Sequence, residues 1–464
     1  MKSVSRRGFI QQSSVAGAAS GLSMLTSRRA TAASDKMVVA IMGCGGRGNY
    51  LAEEFGKRDD VSIKYVCDID QRVFPRIMST IENITGDIPK RATDVRKVLD
   101  DPDVDILVVT TPEHWHALAT VWACQAGKHV YVEKPMSHSI WESRKMVEAA
   151  RKYKCVVQVG TQTRSESNSQ HAMEYVRSGK LGHVHQVRSV HMDYSGWVRT
   201  VTKELRNRKE DPMPDGVDYD MYCGPAPMIP YTESKWVRRM NWDFTGGTLW
   251  DDAVHQLDAA AWIAGKGLPN TVHTAGGLYV LQGGGREMPD SFTTTWEYDD
   301  MLMSFQGSHL TPYITKNSRE QMFYNATPQA LKDDPNKFPD WLFNTTRVEV
   351  YGDEAMMIFG RLGGGWQVWG PDGSVAASEQ GQGHELGAHV EDFIDAIRNN
   401  RKSNADVGDV HPSDVLYHLS NISYRVGNKQ LEFDPKTLTF TNSAEANKLV
   451  KRTYREPWVI PDEV

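Results

Sequence analysis

The feature that most constrains the fold is a strand-like run that leads directly into a cluster of glycines. Met37–Met42 is largely apolar and has the length of a buried strand; Gly43, Gly45 and Gly48 follow it, and then a helix-forming stretch through Phe55. Glycines at this spacing permit a tight turn and close approach of the backbone to a pyrophosphate, which the N-terminus of the next helix stabilises. The pattern is weak alone, but its strand–turn–helix context predicts a Rossmann domain that binds a dinucleotide.

A second strand-like run supports this prediction, because it ends in an acidic residue. Asp68 follows the segment 62–67 and lies twenty residues after Gly48. A Rossmann domain places there the carboxylate that binds the adenosine ribose hydroxyls, and that carboxylate would repel a 2′-phosphate. The sequence therefore predicts NAD, with NADP less favoured. The alternative is that Asp68 is only a turn residue, since Asp70 follows two positions later.

Strand-like and helix-forming segments alternate as far as residue 160. Apolar runs at 106–111, 130–132 and 155–160 are separated by stretches of helical character. This alternation predicts a doubly wound parallel sheet with helices on both faces. Ligands bind beyond the carboxyl ends of the strands in such a sheet, so Lys134 is expected where cofactor and substrate meet.

Two groups of residues, far apart in the chain, form a more specific pattern. The first joins the glycine turn to Thr111-Pro112, His116 and Glu133-Lys134-Pro135, and the second is the segment Gly246–Asp258. In this order they resemble the Gfo/Idh/MocA family of sugar and polyol oxidoreductases. The resemblance implies an α/β protein in which an N-terminal Rossmann domain precedes an α+β domain with a large open, mostly antiparallel sheet. In the family that sheet often pairs subunits, which implies a homodimer or homotetramer.

The resemblance also implies domain boundaries and cofactor contacts. A Rossmann domain is expected over 34–160, a substrate and oligomerisation domain over 161–388, and C-terminal helices and a tail that pack back on the Rossmann domain over 389–464. The implied contacts of NAD are Gly43, Gly45, Gly46, Arg47, Gly48, Asp68, Thr111, Pro112, His116, Glu133 and Lys134.

Three residues together suit the oxidation of a secondary alcohol. Asp251 and His255 are four residues apart, which places both on one helix face. There a carboxylate fixes the tautomer of the imidazole and favours its role as general base. Lys134 would hold the alcohol oxygen, while NAD accepts the hydride. Taken singly, His255 is equally explained as an interior histidine and Asp251 as an acid stabilised by a helix N-terminus.

The segment between the two motifs is predicted to supply the substrate pocket. Arg164 follows the last strand of the Rossmann pattern, and Tyr194 and Trp236 belong to aromatic-rich stretches. Aromatic faces suit a ring rich in hydroxyl groups, and the segment that ends at Arg164 resembles the family's segment after the sixth strand. These residues, with Asp251 and His255, are therefore the predicted substrate contacts. The alternatives are a solvated loop arginine and aromatics of a loop core or subunit contact.

The last two hundred residues predict strands, an insertion and two helices. Hairpins are expected at 293–305 and 348–359, with a surface insertion at 326–339 between them. Amphipathic helices are predicted at 389–398 and 412–426. In the tail, Trp458 is predicted to be exposed and to contact a neighbouring molecule.

The N-terminus and the cysteines indicate the cellular compartment in which the protein is expected. Ser5–Ile10 carries a twin-arginine pattern, and the apolar run 15–25 and the small residues 30–33 follow it, so 1–33 is predicted to be an export signal and the protein periplasmic. The alternative is a disordered basic N-terminus. Removal of 1–33 leaves 48 basic and 59 acidic residues, a formal net charge of −11 that argues against nucleic acid or an anionic membrane as partner. The five cysteines show no metal-ligand spacing and predict buried thiols rather than disulfides.

These observations favour an exported NAD-dependent oxidoreductase that acts on a secondary hydroxyl of a sugar or glycoside. Its partners would be that carbohydrate and the twin-arginine export machinery. NAD is not expected to occur free outside the cytoplasm, so the cofactor would travel with the folded protein and be recycled in place. One alternative is an NAD-dependent glycosidase that works by transient oxidation and elimination. Another is a sugar-binding protein without catalysis.

Overall fold

Two β-sheets form the framework of Lys36–Val464 in the structure, which is a computed structural model. The structure describes residues 36–192, 210–233, 240–246, 248–283, 287–308, 346–360, 364–381 and 386–464. The predicted signal segment, the predicted insertion at 326–339, Tyr194 and Trp236 lie outside these ranges. The predicted fold class is confirmed, because one sheet is parallel and the other is mostly antiparallel.

The first sheet has six strands in the order β3-β2-β1-β4-β5-β6, and every neighbouring pair is parallel. This is the Rossmann order, in which the chain reverses direction between β1 and β4 and leaves a crevice at their carboxyl ends. The strands are β1 (Met37–Met42), β2 (Val61–Cys67), β3 (Lys90–Ala92), β4 (Ile106–Val109), β5 (His129–Val132) and β6 (Val157–Val159). The helices that accompany them are α1 (Gly46–Gly56), α2 (Phe74–Thr85), α3 (Val95–Leu99), α4 (His116–Gln125) and α5 (Ile140–Lys152).

The strands of this sheet are apolar because helices cover both of its faces. Ile41, Val108 and Val130 have no exposed surface, and each such side chain contributes about 1.5–3 kcal/mol through burial. Local signals set the helix ends. Ser139 accepts a hydrogen bond from the backbone N–H of Glu142 at the start of α5.

The second sheet has ten strands in the order β14-β13-β12-β11-β7-β10-β9-β8-β15-β16. Its pairings are antiparallel except that of β7 with β10. Both predicted hairpins are confirmed, as β9 with β10 and β11 with β12. The strands are β7 (Val184–Met192), β8 (Thr271–Gly277), β9 (Ser291–Glu297), β10 (Leu302–Ser308), β11 (Thr346–Gly352), β12 (Met356–Gly360), β13 (Trp366–Trp369), β14 (Val375–Glu379), β15 (Leu431–Asp434) and β16 (Thr439–Phe440).

Two long helices pack together and against this sheet, and they join it to the Rossmann half. The helix α8 (Thr248–Ala264) packs against β7, and α10 (Val407–Arg425) packs against α8, α5 and β8. Leu257 and Ile263 of α8 are buried in the same core as Trp296 of the sheet and Leu419 of α10. The other helices within the described ranges are α6 (Ser167–Arg177), α7 (Tyr219–Cys223), α8 (Thr248–Ala264), α9 (Leu386–Arg398), α10 (Val407–Arg425) and α11 (Ala444–Asn447).

The C-terminal region differs from the sequence prediction in two places. The helix α10 begins at Val407 and not at Pro412, because the carboxylate of Asp406 caps it by accepting from the N–H of Gly408. The prediction that Trp458 is exposed is wrong. Its ring is buried beside Trp115 and Trp122 of the Rossmann half, with ring centroids 5.4 and 6.2 Å away. The tail thus contacts its own chain through an aromatic cluster.

The cysteine prediction is confirmed, since all five are buried thiols in the structure. None of the helices in the described ranges is long and apolar enough to cross a membrane.

Candidate functional site

The glycine turn has the close contacts that a dinucleotide site requires. Gly43 adopts φ 94°, and a Cβ there would lie 2.8 Å from the backbone carbon of Thr110. A Cβ on Gly48 would lie only 1.9 Å from the carbonyl oxygen of Gly43, so only glycine permits this contact between turn and helix. A Cβ on Gly45 or Gly46 would meet nothing within 4 Å. The start of α1 is therefore open on the side where a pyrophosphate would bind.

The acidic residue at the end of β2 lies against this turn. The carboxylate of Asp68 accepts hydrogen bonds from the backbone N–H of Cys44 at 2.6 Å and of Asp70 at 2.9 Å. Burial raises the pKa of this carboxyl group, and the two N–H donors oppose the shift. Asp68 thus has the turn role weighed from sequence, while its contact with an adenosine ribose stays a prediction.

An ion pair connects the glycine turn to the end of β5. The guanidinium of Arg47 lies 2.7 Å from the carboxylate of Glu133 and 5.1 Å from the ring centroid of Tyr50. Glu133 is buried, and a Cβ on Gly160 would lie 2.8 Å from its carboxylate oxygen. The charge of Glu133 is therefore matched by Arg47 in a closely packed position, immediately before Lys134.

Lys134 is in contact with the first turn of α8. Its Nζ donates to the backbone carbonyl oxygen of Asp251 at 2.5 Å and lies 3.3 Å from Oδ1 of the same residue. The peptide bond between Lys134 and Pro135 is cis. His255 is one helical turn after Asp251 and is buried. The structure thus brings Lys134 and Asp251 together, with His255 on the adjoining turn of the same helix.

His116, a predicted contact of NAD, has both ring nitrogens within hydrogen-bond distance of backbone carbonyl oxygens. Its Nδ1 lies 2.7 Å from the carbonyl oxygen of Pro135, and its Nε2 lies 2.8 Å from that of Thr111. Burial lowers the pKa of this imidazole, so the neutral ring donates to one carbonyl at a time. His116 therefore ties the Thr111-Pro112 loop to the turn that carries Lys134, and its ring nitrogens face backbone on both sides.

Arg164, a predicted substrate contact, has its guanidinium buried in a bidentate ion pair. Nε and Nη2 lie 2.9 and 2.7 Å from the two carboxylate oxygens of Asp258 on α8. Nη2 also donates to the carbonyl oxygen of Asp409 on α10, and Ser413 donates to Asp258. Arg164 thus connects the segment after β6 to α8 and α10.

Sequence reasoning missed a buried carboxyl group beneath the site. The carboxylate of Glu113 accepts from the hydroxyl of Tyr417 at 3.1 Å and from the N–H of Gly246 at 3.4 Å. Burial raises the pKa of Glu113 well above its ordinary value. Glu113 connects a Rossmann loop to Gly246, which precedes α8, and to α10. Only its place between Pro112 and His114 hinted at a role, since its partner Tyr417 is more than three hundred residues away.

A second missed group supports the turn after Lys134. The hydroxyl of Ser137 donates to Asp414 on α10 at 2.5 Å and lies 3.0 Å from Nε2 of His418. All three side chains are buried. These hydrogen bonds connect the turn after Lys134 to α10 and help to fix the position of that turn. No group of three potential metal-ligating His, Cys, Asp or Glu side chains occurs among the described residues.

The structure combines a Rossmann sheet that has an open glycine turn with a second sheet, and Lys134 lies at the crevice of the first. This arrangement is typical of a dinucleotide-dependent oxidoreductase. Comparison with known protein families supports this class. Residues 37–161 match the oxidoreductase family with an NAD-binding Rossmann fold, and 166–275 with 378–460 match the C-terminal alpha/beta domain of the same family. The two matches cover more than half of the chain, which belongs to the Gfo/Idh/MocA oxidoreductase family.

Curated relatives are distant. An uncharacterised oxidoreductase, YrbE, of Bacillus subtilis is 24% identical over 288 residues, which are 62% of this chain and 69% of that protein. Glycosyl hydrolase family 109 protein 1 of Shewanella sp. strain MR-4 is 31% identical over 118 residues, 25% of this chain and 26% of that protein. The chain thus matches only about a quarter of that glycosyl hydrolase.

Solved structures share the fold. An aldose-aldose oxidoreductase from Caulobacter crescentus, complexed with glycerol, has a TM-score of 0.60 at 18% identity and covers 86% of this chain and 100% of its own. Levoglucosan dehydrogenase in complex with NADH and levoglucosan has a TM-score of 0.59 at 17% identity, with 86% and 99% covered.

Proposed function

We propose that the protein is an NAD-dependent oxidoreductase that acts on a secondary hydroxyl group of a sugar or glycoside. The observation that carries the proposal is the contact of Lys134 with Asp251 at the N-terminal turn of α8, the helix that also holds His255. A cation therefore contacts one turn of α8, and an imidazole belongs to the next turn of the same helix. The Arg47–Glu133 ion pair joins the same place to the glycine turn.

The residues have separate roles in this proposal. Bound NAD supplies the hydride acceptor. The ammonium of Lys134 uses two of its donor directions on Asp251, and a further N–H is available to stabilise the alcohol oxygen as it loses its proton. His255 accepts that proton as general base, a role for which a buried imidazole is suited. Asp251 orients Lys134 through both its backbone oxygen and its side chain.

The second candidate is a redox-neutral glycosidase, and the match to glycosyl hydrolase family 109 proteins favours it. In this reaction a ring carbinol would lose its hydroxyl proton to a base and its C–H hydride to bound NAD, and the resulting ketone would acidify the neighbouring C–H. The glycosidic bond would then break by elimination, water would add, and the hydride and proton would return to the substrate. Net oxidation ranks first because the match to the oxidoreductase YrbE spans 62% of this chain, whereas the glycosyl hydrolase matches span 25% and 32% of it. The presence of Lys134, Asp251 and His255 together speaks against a third candidate, a sugar-binding protein without catalysis.

We also propose that the protein is exported through the twin-arginine route with its cofactor inside. The support is the Ser5–Ile10 pattern with the apolar run and small residues that follow it, and five buried thiols. A cofactor retained in this way would be reoxidised on the protein, either by a second sugar or within one catalytic cycle. Pairing of the ten-stranded sheet between subunits, as a dimer or tetramer, belongs to the same proposal.

The test begins with the mature protein purified from an exporting host. The protein is denatured, and the supernatant is assayed for NAD. Loaded protein is then incubated with glycosides while the reduced nicotinamide band and aglycone release are followed together. Persistent reduced cofactor supports oxidoreduction, and aglycone without net reduction supports the glycosidase. Protein that contains no nucleotide and binds no added NADH contradicts both enzymatic proposals.

A further inference from the structure

An arginine lies at the adenosine end of the predicted cofactor site. Arg72 is four residues after Asp68, in the short 3-10 helix Gln71–Val73 that follows β2. In Rossmann domains an arginine near the end of this strand accommodates the 2′-phosphate of NADP. The side chain of Arg72 is 45% exposed, so a bound nucleotide could reach it. By position alone, this arginine would favour NADP.

The guanidinium of Arg72 forms ion pairs with two carboxylates. Nε lies 2.9 and 3.1 Å from the two oxygens of Asp70, and Nη2 lies 2.8 Å from one of them. On its other side, Nη1 donates to Oε1 of Glu233 at 2.9 Å. The fork that would bind a phosphate is thus already paired on two sides with carboxylates.

Glu233 reaches this place because the segment 210–233 packs against the loop that follows β2. Gly216 accepts from the N–H of Gln71 at 3.0 Å, and the N–H of Asp218 donates to Ile69 at 2.9 Å. Asp70 and Val217 form an antiparallel bridge. This part of the chain belongs to neither sheet, yet it borders the acid at the end of β2.

Glu233 itself is anchored at its backbone. Its N–H donates to the carboxylate of Asp211 at 2.9 Å, and the hydroxyl of Thr232 donates to the same oxygen at 3.1 Å. These two hydrogen bonds join the ends of the segment 211–233 and so hold the carboxylate of Glu233 beside Arg72.

We propose that Glu233 and Asp70 make the site selective for NAD by holding Arg72 in ion pairs. This inference rests on the proposed dinucleotide site and specifies its cofactor. Asp68, Asp70 and Glu233 carry three negative charges against the one positive charge of Arg72. A 2′-phosphate, which carries about −1.5 to −2 at neutral pH, would meet net repulsion and an arginine that is already paired. The ribose hydroxyls of NAD carry no such charge.

The experiment compares nucleotide binding in variants of the full mature chain from which co-purified nucleotide has been removed. The dissociation constants of NADH and NADPH are measured by nucleotide fluorescence for the parent, Asp70→Asn, Glu233→Gln and the double variant. Asparagine retains the capping ability of Asp70, so the local turn is preserved. We expect the ratio of the NADPH constant to the NADH constant to fall about tenfold in the double variant, while NADH binding changes little.

Two controls separate this mechanism from a general charge effect. Adding Arg72→Ala to the double variant should return the ratio toward the parent value, because the released arginine is the phosphate ligand. Glu210→Gln removes a charge from the exposed start of the same segment and should leave the ratio unchanged.

An unchanged ratio in the double variant, with NADH still bound, overturns this inference but leaves the proposed function intact. A gain in NADPH binding that survives Arg72→Ala, or that Glu210→Gln reproduces, also overturns it. A parent protein that binds neither nucleotide overturns the proposed function, and this inference with it.

Discussion

The Nζ of Lys134 donates a hydrogen bond to the backbone carbonyl oxygen of Asp251 at 2.5 Å, across 117 positions of sequence. The lysine ends a strand of the Rossmann sheet, and the aspartate opens the helix that packs on the second sheet. This contact thus joins the two halves of the molecule at the predicted reacting centre. A backbone acceptor does not depend on the side chain of Asp251, so the contact requires only that α8 begin where it does.

The first prediction concerns Lys134→Met, which keeps most of the aliphatic length and removes the charge. Turnover should fall by about a thousandfold or more, because the group that stabilises the alcohol oxygen is lost. NADH affinity, measured by fluorescence, should change little. Lys97→Met, at an exposed position on α3, is the matched control and should behave as the parent. Undiminished turnover in Lys134→Met would remove the catalytic assignment.

The second prediction separates His255 from Asp251. His255→Gln removes the proposed general base, and kcat should fall by about a hundredfold to ten-thousandfold. Asp251→Asn keeps the backbone acceptor of Lys134, so its loss should be smaller. Steady-state kinetics with saturating NAD test this order. If Asp251→Asn is the more severely impaired, the base is the carboxylate and the histidine is structural.

The third prediction tests the structural role of Arg164. Arg164→Met would leave the buried Asp258 without its charge partner, at an expected cost of about 3–5 kcal/mol in the free energy of unfolding. Arg76→Met, on the exposed face of α2, should cost far less. Denaturant unfolding measures both. A stable Arg164→Met protein with a raised KM for sugar would restore the substrate-binding role that the ion pair argues against.

A fourth prediction uses two glycines that differ in their surroundings. A methyl group on Gly160 would lie 2.8 Å from the carboxylate of Glu133, which Arg47 holds in place. Gly160→Ala should therefore lower stability by about 1–3 kcal/mol and weaken NADH binding. Gly267→Ala meets nothing within 4 Å and should be neutral or slightly stabilising. Equal melting temperatures for the two variants would show that the Glu133 carboxylate moves aside freely.

The fifth prediction is a pH dependence. Burial raises the pKa of Glu113, so the folded chain holds a proton that the unfolded chain releases. The stability from that proton is complete below the unfolded pKa of about 4.3 and is lost as the pH rises toward the folded value. Glu113→Gln cannot ionise. Its melting temperature relative to the parent should therefore increase between about pH 5 and pH 8.

The control for this prediction is Glu210→Gln, at an exposed position. Its melting temperature relative to the parent should stay constant over the same range. If the difference for Glu113→Gln is constant or falls with pH, the carboxyl group of Glu113 is ionised in the folded protein.

Sequence patterns predicted the elements whose causes are local. The run Met37–Met42 and the glycines after it dictated a strand and a tight turn, and both hairpins followed from alternation around turn residues. The predicted start of α10 lies five residues beyond the observed one, because the carboxylate of Asp406 caps the helix before Pro412 is reached. Trp458 was misjudged because its partners Trp115 and Trp122 are distant in sequence.

What the sequence by itself determined is the Rossmann half, the family and the identity of the residues that could do chemistry. Periodicity, glycine geometry and turn chemistry act over a few residues and can be read directly. Only the tertiary structure decided which of those residues meet. It joined Lys134 to Asp251, buried Arg164 against Asp258 and brought Glu233 to Arg72. Contacts of this kind arise when separate elements pack, and no local pattern encodes them.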